Sequence, residues 1–320
     1  MTAKTKAWLI AGAILIFVGL LIFSGVMTML KWDFNNLSTN KYTEKTYVID
    51  EPFTDISVNI RGADIVFLPS PDGKCKVVCF ESDHETHFPK VEDGTLSIDS
   101  YVKKGFYIGI NFKSPKIKVY LPQSAYGVLD VNTSAGDVNI PKDFSFESIS
   151  VSVRTGNIKG FASASDFVKL TATTGHIYYG NASAVSFDFK VSTGDIELHS
   201  LSAEKDVTLF VSTGECELFD VSCKSLISEG NTGDISLEDV KASGSFNIKR
   251  STGDIDFERC DAAEIYIETS TGDVEGSLLS GKSFDAKATT GKVKVPKSSD
   301  GGICKITTST GDIEIEVLNP

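Results

Sequence analysis

A short motif recurs ten times between residues 134 and 312: SAGD, RTGN, TTGH, STGD, STGE, NTGD, STGD, STGD, TTGK and STGD. Its glycines are Gly136, Gly156, Gly175, Gly194, Gly214, Gly233, Gly253, Gly272, Gly291 and Gly311, each 19 or 20 residues after the last. A fixed short period over this many copies marks a solenoid, in which one supersecondary unit stacks on the next.

Alignment on the glycine gives apolar columns. Seven residues before it stand Leu129, Ile149, Val168, Phe187, Val207, Leu226, Phe246, Ile265, Phe284 and Cys304. Five before it the residues are mostly aliphatic, with Ser228 and Ala286 as exceptions; two after it they are Ile, Val or Cys216. Four after it they are mostly large and apolar, with gaps at Gly160 and Gly276. The residues between are mostly polar. Period-two alternation on both sides of the glycine predicts two short strands per copy and no helix. One copy cannot bury its apolar face alone, whereas copies coiled one above the next at ~4.8 Å line a continuous interior. The fold class expected is all-β, a parallel β-solenoid (β-helix) of 19–20-residue coils stacked in chain order. A sandwich of hairpins would not need such strict columns.

The glycine column predicts a corner with positive φ or a close main-chain approach. Threonine precedes it in nine copies, and a stack of hydroxyls there can bond neighbouring hydroxyls or backbone. After it stand Asp137, Asn157, His176, Asp195, Glu215, Asp234, Asp254, Asp273, Lys292 and Asp312. Asp and Asn at such places commonly bond local turn amides. The alternative is a calcium site at Asp195, Asp234, Asp254 and Asp273, because stacked carboxylates repel and calcium takes oxygen ligands. The column is interrupted and the shorter glycine-rich calcium nonapeptide is absent, so turn capping is the favoured reading and no metal or cofactor is assigned.

Residues 7–30, AWLIAGAILIFVGLLIFSGVMTML, run 24 residues without a charge. At ~1.5 Å per residue that exceeds the ~30 Å hydrocarbon core. Lys4 and Lys6 precede the run, and Lys31 and Trp32 follow it, as suits a membrane interface. With no A-x-A site after it, the segment reads as an uncleaved signal anchor with the bulk of the chain outside the cytoplasm. Residues 1–30 are thus the anchor and 31–46 a polar tether. Residues 47–128, which lack the repeat but keep strand alternation, are a cap with irregular coils, and 129–320 are the ten-repeat solenoid. The strand IEIEVL closes the last copy with Glu314 and Glu316 outward, and no second cap is evident.

Lys and Arg number 31 against 43 Asp and Glu, a net charge of −12, which argues against a nucleic-acid partner. Cys75 and Cys79 followed by His84 and His87 resemble zinc spacing. On a strand, however, Cys75 and Cys79 stand ~13 Å apart, too far for one zinc or a direct disulfide. Cys216 and Cys304 fall in core columns. Cys260 aligns with Leu201, Val221, Val240 and Leu279, and Cys223 falls off the columns and is expected to be exposed. Glycan-cleaving β-helices need clustered acids, or acids with Arg or Lys, in a groove. Arg61, Arg154, Arg250 and Arg259 are the only arginines, and no P-loop, GxSxG, HExxH or dinucleotide fingerprint occurs.

The TGDI/TGDV repeat, the segment Ala63 to Pro69, Gly94 to Leu96, and Leu121–Pro122 together resemble the bacterial putative-adhesin family, related to LiaG-type membrane-anchored proteins. The resemblance covers residues 47–317. It implies an exported or surface β-solenoid and supplies no catalytic residues. The function expected is a non-enzymatic, extracytoplasmic module on the cell membrane for adhesion, envelope contact or sensing. Its partners are the membrane through residues 7–30, and envelope polymers or another envelope protein. The alternative is a β-helix that binds or cleaves polysaccharide.

Overall fold

The computed structural model describes residues 3–33, 42–82, 85–103, 115–297 and 301–318. Helix α1 (Ala3–Met29) is followed by strands that all belong to one continuous solenoid. Half of the tether, 34–41, lies outside the described residues, and 43–46 belong to the strand Thr43–Ile49.

The predicted columns point inward. Ile196, Ile235 and Ile255 are fully buried and aligned through Cys216, while Ser236 and Asp256 between them are exposed. The coils pair in parallel throughout the repeat, so no side chain changes face from copy to copy. The two apolar gaps are filled by rings from neighbouring coils. Tyr179 lies in register with Gly160, where an added Cβ would meet its ring at 2.1 Å. Phe257 fills Gly276 in the same way, at 2.5 Å. Ser228, an unexpected polar core position, is also filled. Arg250 from the next coil is 3% exposed and donates to Ser228 Oγ, and an added Cβ on Gly230 would come within 2.7 Å of its guanidinium.

The ten corner glycines have φ between +116° and +148°. A Cβ on any of them would stand 2.0–2.2 Å from the carbonyl oxygen of the corner in the adjoining coil. Conformation and close stacking therefore both require glycine. The threonines before them act through their backbone: the Gly136 amide donates to Thr155 O at 3.0 Å, and the contact repeats along the rod.

Six residues past the glycine lies a second corner absent from the sequence reading. Asn181, Ser200, Asp220, Asp239 and Arg259 have φ of 51–55°. Asn and Asp adopt this left-handed region most readily among residues with a side chain. The next copy lacks this extra corner residue, so Leu278 rather than Leu279 lies beside Cys260, and Leu278 is the buried one.

The first coil of the rod is not the first repeat. Strands β1 (Thr43–Ile49), β2 (Asp55–Gly62), β3 (Asp64–Pro69), β4 (Cys75–Glu81), β5 (Glu85–Glu92), β6 (Thr95–Val102) and β7 (Lys116–Leu121) precede β8 (Ala125–Ala135) and β9 (Val138–Ile140). β2 and β3 stack in register on β8 and β9, pairing Ile56 with Leu129 and Ile65 with Val138, and Ala63 takes the corner. β6 and β7 form a further parallel coil outside them. Antiparallel β4, β5 and β1 finish this end.

At the other end the stacking order departs from chain order. Ile265 of the eighth copy pairs with Cys304 of the tenth, which in turn pairs with Phe284 of the ninth. The tenth copy is therefore an inner layer and the ninth is the outermost. Composition explains the exchange. The tenth copy brings Ile306, Ile313 and Ile315, all buried, whereas the ninth offers Ala286, Ala288, Lys292, Val293 and Lys294. The layer covered on both sides takes the larger aliphatics.

Candidate functional site

The column after the glycine forms a ladder of side-chain caps along one edge of the rod, in one run that ends at Glu215 and a second that starts at Asp234. Asp137 Oδ1 accepts from the Asn157 amide at 2.8 Å, Asn157 Oδ1 from His176, and Asp195 Oδ1 from Glu215. Asp234 Oδ1 accepts from the Asp254 amide and Asp254 Oδ1 from the Asp273 amide, both at 2.8 Å. The ladder follows the exchanged order, with Asp273 Oδ1 accepting from Asp312 and Asp312 Oδ1 from Lys292. These aspartates thus cap the equivalent amide one coil along, not an amide of their own turn as the sequence suggests. Charge-assisted acceptors of this kind suit exposed main-chain donors at a tight corner. Of the four calcium candidates, Asp234, Asp254 and Asp273 spend Oδ1 on this ladder, and Asp195 also pairs its Oδ2 with His176 Nδ1 at 2.9 Å. Among the described residues no group of three or more His, Cys, Asp or Glu could hold a metal ion.

The zinc spacing is not assembled either. Cys75 and Cys79 lie on one face of β4, buried, and His87 lies on β5; His84 is outside the described residues. All six cysteines are free and buried, including Cys223, at 6% exposure. Cys223 points inward because the chain bends between Cys223 and Ser225, which shifts it into the interior. Burial pushes the thiols of Cys75, Cys79, Cys223, Cys260 and Cys304 up to about 12, which disfavours the thiolate and nucleophilic chemistry.

The sheet after the glycine carries two outward surfaces that sequence reading did not single out. Phe161, Tyr178, His199 and Phe219 form a ladder with ring centroids 5.6, 5.5 and 5.9 Å apart. His199 lies in register with Gly180, two residues along the strand from Tyr178. Tyr178 and His199 are stacked and the outer two pairs are tilted, so the ladder reads as cross-coil packing. Farther along, Asp256, Glu258, Glu275, Glu314 and Glu316 line a shallow groove of about 550 Å³. Burial and then the charges of Asp254, Glu275, Asp234 and Asp273 raise the Asp256 carboxyl above the ordinary range. On the rim, Arg259 holds Asp239 through Nε at 3.0 Å and Nη2 at 2.8 Å, and also pairs with Glu238 and Glu258. These contacts hold Arg259 at its left-handed corner and hold Asp239 below the usual carboxylate range.

One buried polar cluster sits inside the cap. Glu81, 4% exposed, accepts at Oε1 from Tyr47 Oη and from the His87 amide, both at 2.9 Å, and pairs through Oε2 with Lys45 Nζ at 2.7 Å. The His87 ring is 1% exposed, neither nitrogen has a hydrogen-bond partner, and Nδ1 lies 4.0 Å from Glu81 Oε1. Desolvation therefore lowers its pKa, against the pull of Glu81.

Stacked parallel coils with glycine corners and capped main-chain edges define a repeat solenoid of the toastrack kind. The chain belongs to the Toastrack DUF4097 family, whose model matches residues 53–226 and again 204–319. Solved structures with a similar fold include a putative adhesin from Bacteroides fragilis NCTC 9343, at 14% identity and a TM-score of 0.38, covering 87% of this chain and 97% of that one. A putative adhesin from Parabacteroides distasonis ATCC 8503 has 12% identity and a TM-score of 0.36, covering 86% and 98%. No curated protein matches the chain.

Proposed function

We propose that the protein is a non-enzymatic module anchored in the cell membrane, which holds a stiff β-solenoid outside the cytoplasm for contact with the envelope or with surface partners. The observation that carries this reading is α1. An 18-residue window within Lys4–Met29 has a mean hydropathy of 2.7, and none of that window is buried. A helix of that length and exposure suits a lipid environment. The rod supports the non-catalytic half of the reading. The acid-lined groove at Asp256, Glu258, Glu275, Glu314 and Glu316 is shallow and open, and the buried thiols are shifted away from reactivity. A site for bond cleavage needs a unique convergence of groups, whereas a repeating polar face suits weak, multivalent contact. With a net charge of −12, contact with acidic envelope polymers would run through bridging cations.

The test is topological. Every native cysteine is buried, so a cysteine at exposed Glu44 is the one group open to a membrane-impermeant maleimide. Labelling of Glu44→Cys in intact cells supports the reading, and labelling only after lysis overturns it.

A further inference from the structure

The two ends of the rod are finished differently. At the capped end β5 carries Pro89, Lys90 and Glu92, and β1 carries Glu44 and Lys45. Proline removes a donor and charge deters strand pairing, so these edges are guarded. At the other end Ser283–Thr290 pairs on one side with Ile303–Thr310, and among the described residues no strand covers its other side. The Ser283 amide donates back into the rod, to Gly302 O at 2.9 Å. Strand alternation then turns the amides and carbonyls of Ala286 and Ala288 outward, beyond the last coil. Phe284, Ala286 and Ala288 are only partly buried against the core, and Val293 is 43% exposed.

The chain along this edge is complementary to itself. When FDAKA, residues 284–288, is laid antiparallel to a second copy about Ala286, Phe284 faces Ala288 and Asp285 faces Lys287. A ring then meets a methyl on the inner face, and a carboxylate meets an ammonium on the outer face, each twice by symmetry. Asp285 and Lys287 are both exposed. Opposite charges directly across an antiparallel pair stabilise it, and like charges destabilise it.

We propose that this edge binds a second copy of the chain, strand to strand and antiparallel about Ala286, in a closed two-fold dimer. A two-fold interface uses the same patch on both partners and stops at two. The guarded far end keeps the pair from growing into a filament. On the other sheet, Lys294 is already neutralised by Glu314 and does not oppose the approach. The proposal concerns the rod alone and stands apart from the membrane reading.

The experiment is a charge reversal in the full chain, in detergent, with mass read by sedimentation and folding read by thermal denaturation. The wild-type protein is expected to be dimeric. Asp285→Lys and Lys287→Asp each place like charges across the axis at both symmetric positions, and each should weaken association at least tenfold while the chain still melts in one cooperative transition, no lower than the wild type diluted to monomer. An equimolar mixture of the two variants restores complementary pairs and should regain the dimer mass, as should the double variant alone. A wild-type chain that stays monomeric overturns the proposal. So does a dimer indifferent to either reversal, a mixture that remains monomeric, or open-ended assembly.

Discussion

Arg250 Nη2 donates to Ser228 Oγ at 3.0 Å in the interior of the rod, and Arg250 Nη1 donates to its neighbour's carbonyl, Lys249 O, at 3.2 Å. The guanidinium occupies the room left by Ser228 and Gly230, one coil back. Removing it leaves a cavity and an unsatisfied hydroxyl. Arg250→Ala should therefore cost about 2–4 kcal/mol in denaturant unfolding of the full chain. Gly230→Ala should destabilise as well, since its Cβ would also meet Val211 O at 2.7 Å. If Arg250→Ala unfolds like wild type, the core role assigned to the guanidinium is wrong.

Inward and outward neighbours on one strand should respond very differently. Ile255→Asp buries an unpaired carboxylate at a fully enclosed position and should cost several kcal/mol. Asp256→Asn relieves a carboxyl crowded by four others and should be neutral or slightly stabilising, within about 0.5 kcal/mol. Thermal melts of the two variants side by side check this, and equal shifts would contradict the inward and outward assignment.

The capping ladder predicts a modest cost at each rung. Asp254→Ala leaves the Asp273 amide without its 2.8 Å acceptor and should cost about 1 kcal/mol, while Asp254→Asn keeps an acceptor oxygen and should recover most of it. Amide exchange at Asp273 is the direct readout: faster in the alanine variant and near wild type in the asparagine variant.

Cap stability should fall on mild acidification. The His87 ring is neutral in the fold because burial lowers its pKa below the ordinary 6.5. Below that ordinary value the unfolded chain takes up a proton that the folded cap does not, so stability is full above about pH 6.5 and declines as pH falls below it. Glu81, also held below its ordinary value, adds loss in the same direction at lower pH. His87→Phe should flatten the first part of this decline, as measured by melts between neutral and mildly acidic pH. An unchanged slope in the variant would remove His87 as the cause.

The inward columns were legible because ten copies act as internal replicates, and Ile235 or Ile255 can be placed from any neighbouring copy. The second corner was not legible. Asn181, Ser200, Asp220, Asp239 and Arg259 share a backbone conformation rather than a residue type, and Arg259 keeps that conformation through its ion pairs. The order of the last two copies was hidden for the same reason that the columns were clear. Val274 can stack on Ile313 as well as on Val293, so the repeat carries little information about sequence of assembly. The signal that does exist is the poorer apolar content of 283–294. For the candidate site, the residue types of the acidic column were visible. Their role was not, because each partner is a main-chain amide 19 to 39 residues away and any residue supplies one.

The exchange of the ninth and tenth copies separates the order of synthesis from the order of assembly. Residues 303–317 leave the ribosome after 283–294, yet they lie beneath them. Coil-by-coil growth along the nascent chain can therefore run only as far as the eighth copy. The ninth must wait, unstacked or wrongly seated on the eighth, until the tenth arrives and takes its place. A chain cut short after residue 300 would lose an interior course of the rod rather than its tip.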